Sequence, residues 1–172
     1  MIRSTLLATV LLTAALSGAL EAQRRTARAP GPESGASAQV GIVAGVGARN
    51  YRASVPGTCQ HEPNASIYGV PAALWRVEAE GSDESEIRRL GLTLWRPKDG
   101  SPDQLSIGLD VGAKPVTIEI NPRARSAASA TPQVRQAGPG GTIEVKGKDA
   151  GGKAVTLTVS CPVFEGIVAE GG

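Results

Sequence analysis

Residues 142–161, TIEVKGKDAGGKAVTLTVSC, decide the fold class of this chain. Apolar side chains recur at every second position on both sides of the pair Gly151-Gly152. A period of two is typical of half-buried strands, and glycine adopts the positive φ angles of a tight turn at little steric cost. The stretch therefore predicts a β-hairpin. Cys161 continues the apolar row of the second strand, so we expect its side chain to point inward.

The rest of the chain after the N-terminal region repeats this alternation. It is clear in residues 73–80, 87–96, 105–111 and 116–120, and weaker in the glycine-rich stretch 40–46. About seven short strands separated by turn residues predict an all-β fold, an antiparallel β-sandwich, with a small β-barrel as the alternative. Residues 121–141 are expected to form a loop, and loops of that length are often functional.

The N-terminus has the pattern of a secretory signal peptide. A positive start at Arg3 precedes an uncharged, mostly apolar run over residues 6–20, followed by small residues. We predict a signal peptide over residues 1–22, cleaved after Ala22 or, as second choice, after Ala19. Residues 16–19 resemble a lipoprotein cleavage box, but Ala19 stands where the lipidated cysteine would be. The sequence thus predicts a periplasmic or extracellular protein with no stable membrane anchor after cleavage.

The mature chain is expected to have two parts. Residues 23–37 are rich in Ala, Pro, Gly, Ser and Arg and predict a disordered linker, and residues 38–172 predict a single β domain. The formal net charge is +2, and from residue 34 onward positive and negative side chains balance. With 3% aromatic residues and no basic cluster, the composition argues against nucleic-acid binding.

Two cysteines, Cys59 and Cys161, occur in the chain. Exported proteins usually pair their cysteines, so we predict a structural disulfide between them. The bond would close the loop between positions 59 and 161. If a disulfide acts by restricting the unfolded chain, a loop of about this size stabilises the fold by about 4–5 kcal/mol. The alternative is a free Cys59 that forms a reactive or metal-binding site with His61.

The sequence offers few groups for catalysis. His61 is the single histidine, and the nearby hydroxyls are those of Ser54 and Ser66, without a recognisable hydrolase motif. Residues 99–110 place aspartates at some positions of a calcium loop, but the sixth position is Gln104 rather than glycine. We therefore predict no enzyme activity, no cofactor and no metal site, with a small hydrolase that uses His61 as the remaining catalytic alternative.

Recognition of a partner is the function that the sequence favours. Trp75 shares a strand face with Val77 and is expected in the core. Trp95 lies opposite the leucines of its strand, where core packing is the first explanation and contact with a partner the second. Tryptophan is enriched at interfaces. We predict a candidate interaction surface that comprises Trp95, Tyr68, Arg123 and Arg125. It belongs to an exported non-catalytic protein with a binding or structural role, whose partner is an unknown protein or envelope component. The alternative is an assembly subunit that uses β-strand addition through residues 40–46 or the apolar tail at residues 163–168.

Overall fold

The computed structural model describes residues 37–112, 114–120 and 127–167. The predicted signal peptide, nearly all of the predicted linker, and Arg123 and Arg125 lie outside these ranges. Within them the chain forms nine strands: β1 (Ala38–Val46), β2 (Arg49–Ile67), β3 (Val70–Glu80), β4 (Ile87–Pro97), β5 (Gln104–Val111), β6 (Lys114–Ile120), β7 (Ser129–Ala137), β8 (Gly140–Lys148) and β9 (Ala154–Cys161). In the described part of the chain no helix is long and apolar enough to cross a membrane.

All nine strands belong to one sheet, in the order β6-β5-β4-β3-β2-β1-β9-β8-β7. Neighbouring strands are antiparallel, so an odd number of strands leaves the two edge strands, β6 and β7, running in the same direction. These edges contact each other, but among the described residues no ladder joins them. The all-β prediction is confirmed. Of the two architectures, the structure has the nearly closed, barrel-like sheet and not the two-sheet sandwich.

The core fills the inside of this curved sheet. Alternate residues of the strands point inward, and the largest fully buried side chains are those of Ile42, Ile87, Leu90, Leu92, Leu94, Ile107, Leu109, Ile118, Ile143, Leu157, Val40 and Val77. In the described ranges no polar or charged residue is buried. Apolar area removed from water is the main favourable term in folding, which explains why these strands alternate so regularly.

Strand β2 is much longer than the sequence predicts. Although residues 51–58 show no clear alternation and contain Pro56, β2 spans 19 residues and also includes Pro63. Its register shifts between Glu62 and Ala65. The turn to β3 is made by Tyr68 and Gly69, with φ angles of 52° and 81°. Two successive positive φ angles are the mark of the tight turns that match strand twist.

The prediction of a loop over residues 121–141 is wrong for its second half, which forms β7 and the first residues of β8. Among the strands that the structure describes, β7 pairs with β8 alone. Its side chains on the core side include the small Ala130, Pro132 and Val134, so the strong apolar alternation of a central strand is missing. Proline in a strand is tolerated at a sheet edge, and the edge position of β7 explains Pro132.

The disulfide between Cys59 and Cys161 is present, and both residues are buried. The chain after Cys161 continues alongside β2 in the same direction. The backbone N–H of His61 donates to the carbonyl oxygen of Glu165, and Glu165 N–H donates to the carbonyl oxygen of Cys59. These two bonds form a short parallel bridge at Gln60. We call residues 162–167 the closing segment.

Candidate functional site

Trp95 and Tyr68, two residues of the predicted interaction surface, lie on the same groove outside the barrel. Trp95 is half-buried on the outer face of β4, between Leu74 of β3 and Gln104 of β5. Tyr68 is 61% exposed at the tip of the β2–β3 hairpin. The groove has a volume of about 150 Å³. Its lining residues, which define the outer groove, are Ile67, Tyr68, Thr93, Trp95, Gln104, Leu105, Ser106, Glu119 and Ile120.

The floor of the outer groove continues along β4 and β5 over progressively smaller residues. Thr93 pairs with Ser106, and beyond them Gly91 pairs with Gly108. A Cβ atom built at either glycine meets no atom within 4 Å. Glycine weakens a strand and often marks a place where another backbone or a ligand comes close. We call Gly91 and Gly108 the bare patch, because the fold itself does not require glycine there.

Charged side chains flank this face on both sides. Glu119 of β6 lies opposite Ser106, and on β3 the exposed Arg76 and Glu78 form an ion pair. A second groove of about 200 Å³ adjoins the outer groove at the hairpin tip, where Tyr68 and Gln104 line both. The face therefore combines one large aromatic platform, uncharged hydrogen-bonding groups and a charged rim, which is the composition of many recognition sites.

Four residues of this face escaped the sequence reasoning: Thr93, Ser106, Gly91 and Gly108. The alternation of the sequence could have revealed them, since each occupies the polar face of a strand whose other face is a row of leucine and isoleucine. Pairing in register is what places the two glycines side by side. Arg123 and Arg125 lie outside the described residues, so the structure brings together two of the four predicted surface residues.

His61 lies in a second cluster, on the inner side of the barrel. Its ring stacks on Trp75, with centroids 4.6 Å apart and planes 8° from parallel. Phe164 of the closing segment meets the His61 ring edge-on at 6.3 Å. The side-chain nitrogen of Gln136 in β7 lies 3.0 Å from His61 Nδ1. Burial lowers the pKa of His61 from its ordinary value, and the nearby carboxylate of Glu62 opposes that shift.

Arg96 approaches the same indole from the neighbouring strand β4, with its guanidinium carbon 5.6 Å from the Trp75 ring centre. Its Nη2 donates to Asp103 at 2.9 Å and to the carbonyl oxygen of Pro132 at 3.4 Å. Trp75 is 7% exposed, and its Nε1 is buried with no hydrogen-bond partner among the described residues. We call His61, Trp75 and Arg96 the ring stack. Its residues are held by stacking and charge, since the indole N–H contributes no hydrogen bond.

His61 and the serine hydroxyl near it in sequence have different partners in the described part of the chain. The contacts of His61 are two aromatic rings and an amide, while the hydroxyl of Ser54 lies 3.4 Å from the amide oxygen of Gln39. The three aspartates of residues 99–110, which only partly match a calcium loop, each have a different partner. Asp99 accepts from the N–H of Ser101 in a turn, and the other two pair with Arg96 and Arg88.

Across residues 37–112, 114–120 and 127–167, no group of three or more His, Cys, Asp or Glu side chains is placed to hold a metal ion. The disulfide also occupies the thiol of Cys59, which the alternative metal site with His61 would have required. Comparison of the chain with protein-family models, with curated proteins and with solved structures finds no match.

Proposed function

We propose that this chain is an exported, non-catalytic binding protein that holds an extended segment of its partner along the outer groove and the bare patch. The observation that carries the proposal is the register of β4 and β5, which sets Trp95, Thr93 and Gly91 beside Gln104, Ser106 and Gly108. A glycine inside a strand destabilises it by roughly 0.5–1 kcal/mol relative to alanine. Two paired glycines with open space above them are explained by a partner that needs that space.

Export is supported by the signal-peptide pattern of residues 1–22 and by the disulfide, since disulfides persist in oxidising compartments. The partner is a protein or another component of the cell envelope. Trp95 supplies a large contact area. The side chains of Thr93, Gln104 and Ser106 supply hydrogen bonds that orient what binds.

Assembly by strand addition is the second candidate. The outer edges of β6 and β7, which have no ladder partner within the described ranges, favour it. The two segments that suggested it are used within the chain. Residues 38–46 pair with both β2 and β9, and the closing segment bonds to β2. An assembly of this kind would therefore place a partner strand at β6 or β7.

A photo-crosslinking amino acid introduced at Ser106 and, separately, at Gln133 tests the proposal in cells that export the protein. Gln133 is exposed on β7, away from the outer groove, and is the matched control. We expect a crosslinked adduct from Ser106 and not from Gln133, and its loss when Gly108→Arg fills the bare patch. Equal adducts from both positions, or an adduct that survives Gly108→Arg, would refute the outer groove as the binding site. An adduct at Gln133 alone would instead support binding at the β7 edge.

A further inference from the structure

Strand β7 is held to the rest of the barrel by few contacts. Its ladder runs to β8 alone, and among the described residues no ladder joins its other edge to β6. Backbone groups at an open edge are available for other partners. We call the gap between the edges of β6 and β7 the seam. The side chains that reach β7 from the opposite wall of the barrel therefore decide whether β7 stays in place at this seam.

Within the described ranges two side-chain hydrogen bonds reach β7 from that wall, and both come from the ring stack, in addition to the packing of Ala130 and Val134 against the core. His61 of β2 meets the amide of Gln136, and Arg96 of β4 donates to the carbonyl oxygen of Pro132. In an antiparallel strand the N and C=O of one residue point to the same side. The bond from Arg96 thus places the missing N–H of Pro132 on the seam side, where no ladder partner needs it.

Trp75 packs against both side chains that make these contacts, and so couples their positions. It lies on β3, between the strands that carry His61 and Arg96. A shift of either side chain changes the packing of the same buried indole. Because Trp75 Nε1 has no hydrogen-bond partner among the described residues, packing against His61 and Arg96 positions the indole.

Protonation of His61 would disturb this arrangement. A neutral Nδ1 accepts a hydrogen bond from the Gln136 amide, whereas a protonated Nδ1 is a donor that faces another donor. The amide must then turn to present its oxygen. An imidazolium would also share the Trp75 indole with the Arg96 guanidinium, which already uses the attraction of that ring for cations. The charged residues that contact this cluster or adjoin its members in sequence are Glu62, Arg76, Arg96, Asp103, Arg135 and Glu165. Arg76 and Arg135 form ion pairs with Glu78 and Glu144.

We propose that the ring stack is a latch that holds strand β7 across the seam, and that protonation of His61 opens it. In the latched state His61 is neutral, its ring lies on Trp75 and its Nδ1 accepts from Gln136. In the open state β7 keeps its ladder with β8 and loses both contacts with the opposite wall. The edges of β6 and β7 then become accessible in mildly acidic surroundings.

The direction of the His61 pKa agrees with this geometry. Burial lowers the pKa in the latched state, while a released His61 regains an ordinary value of about 6.5. The open state therefore binds the proton more tightly, and its population grows as the pH falls below about 6.5. The population of the open state stops growing once the pH falls below the lower pKa that His61 has in the latched state.

Hydrogen exchange of the disulfide-bonded protein at pH 7.5 and pH 5, expressed as protection factors so that intrinsic exchange cancels, tests the latch. We expect protection in β7 to fall relative to β3 and β4 at pH 5. The fall should be no more than about 30-fold, the ratio of charged to neutral imidazole at that pH for an ordinary pKa. Unchanged relative protection of β7 would overturn the proposal.

Two glutamate variants on β7 make the test specific. Gln136→Glu puts a carboxylate beside His61, which attracts the imidazolium and should abolish most of the acid-induced loss of protection. Gln133→Glu adds the same charge on the outer face of the same strand and should leave the loss as large as in the native protein. His61→Phe keeps a stacked ring without a titrating group, so its β7 protection should not depend on pH. Equal behaviour of the two glutamate variants, or a full acid response in His61→Phe, contradicts the latch.

Discussion

Cys59 and Cys161 are bonded to each other although their strands are not neighbours in the sheet, because β1 lies between β2 and β9. The first residue of β1 pairs with Gly57. Cys59 lies past that point, where β1 no longer separates the two strands. The closing segment takes the vacant place beside β2, with Glu165 bonded to the backbone of Cys59 and His61. The disulfide thereby fixes the position of Phe164 against the ring stack.

Replacement of both cysteines, Cys59→Ala with Cys161→Ala, should lower the free energy of unfolding by about 2–5 kcal/mol. The pair closes a separation of 102 residues, so its loss frees a large part of the unfolded chain. Urea unfolding of the double variant against the native protein measures the difference. The reduced native protein is the control, and it should unfold at the same urea concentration as the double variant. A double variant as stable as the oxidised protein would show that the disulfide contributes nothing to the fold.

Two substitutions of Trp75 should differ strongly in their effect on stability. Trp75→Ala leaves a cavity between His61 and Arg96 and should reduce the free energy of unfolding by about 3–5 kcal/mol. Trp75→Phe keeps a ring in the stack and removes an indole N–H that has no partner, so the loss should stay below about 1.5 kcal/mol. Chemical denaturation followed by far-UV circular dichroism distinguishes them. Similar losses in both variants would mean that a phenyl ring cannot replace the indole in the ring stack.

Replacement of glycine by alanine should affect stability differently at two positions of the sheet. A Cβ at Gly147 in β8 would collide with the backbone oxygen of Ser129 in β7, and Gly147→Ala should destabilise the protein by about 1–3 kcal/mol. Gly108→Ala enters open space and should be neutral or stabilise by up to about 1 kcal/mol. Thermal unfolding of the two variants is the measurement. If Gly108→Ala destabilises as much as Gly147→Ala, the bare patch is a packing requirement and its glycines say nothing about a partner.

The strands with strong alternation could be predicted from the sequence, since leucine and isoleucine at every second position in β4 and β5 leave few alternatives to a half-buried strand. Strand β7 could not be predicted in this way. Its core side carries alanine, proline and valine, because an edge strand next to an open seam contacts fewer core residues. Register and closure depend on pairing between distant segments, which alternation does not specify.

The candidate sites show the same limit. Trp95 stood out in the sequence because it opposes a face of leucines, and the structure places it on an outer groove with Tyr68. The ring stack was invisible, because its three residues come from three strands and meet only when β2, β3 and β4 are in register. No spacing within the chain marks His61 and Arg96 as neighbours of one indole.

The stability of the whole protein should depend on pH through His61. It is the single histidine, and therefore the one side chain whose ordinary pKa lies between pH 5 and 7.5. Burial makes its folded pKa lower than its unfolded pKa of about 6.5. The unfolded state thus binds more protons between these values, and the free energy of unfolding rises with pH across them. The contribution of neutral His61 to the free energy of unfolding is complete above about pH 6.5 and is lost as the pH falls toward the folded pKa of His61. We expect the urea midpoint of the native protein to be lower at pH 5 than at pH 7.5, and that of His61→Phe to change much less. A midpoint with the same pH dependence in both proteins would assign the effect to carboxylates instead.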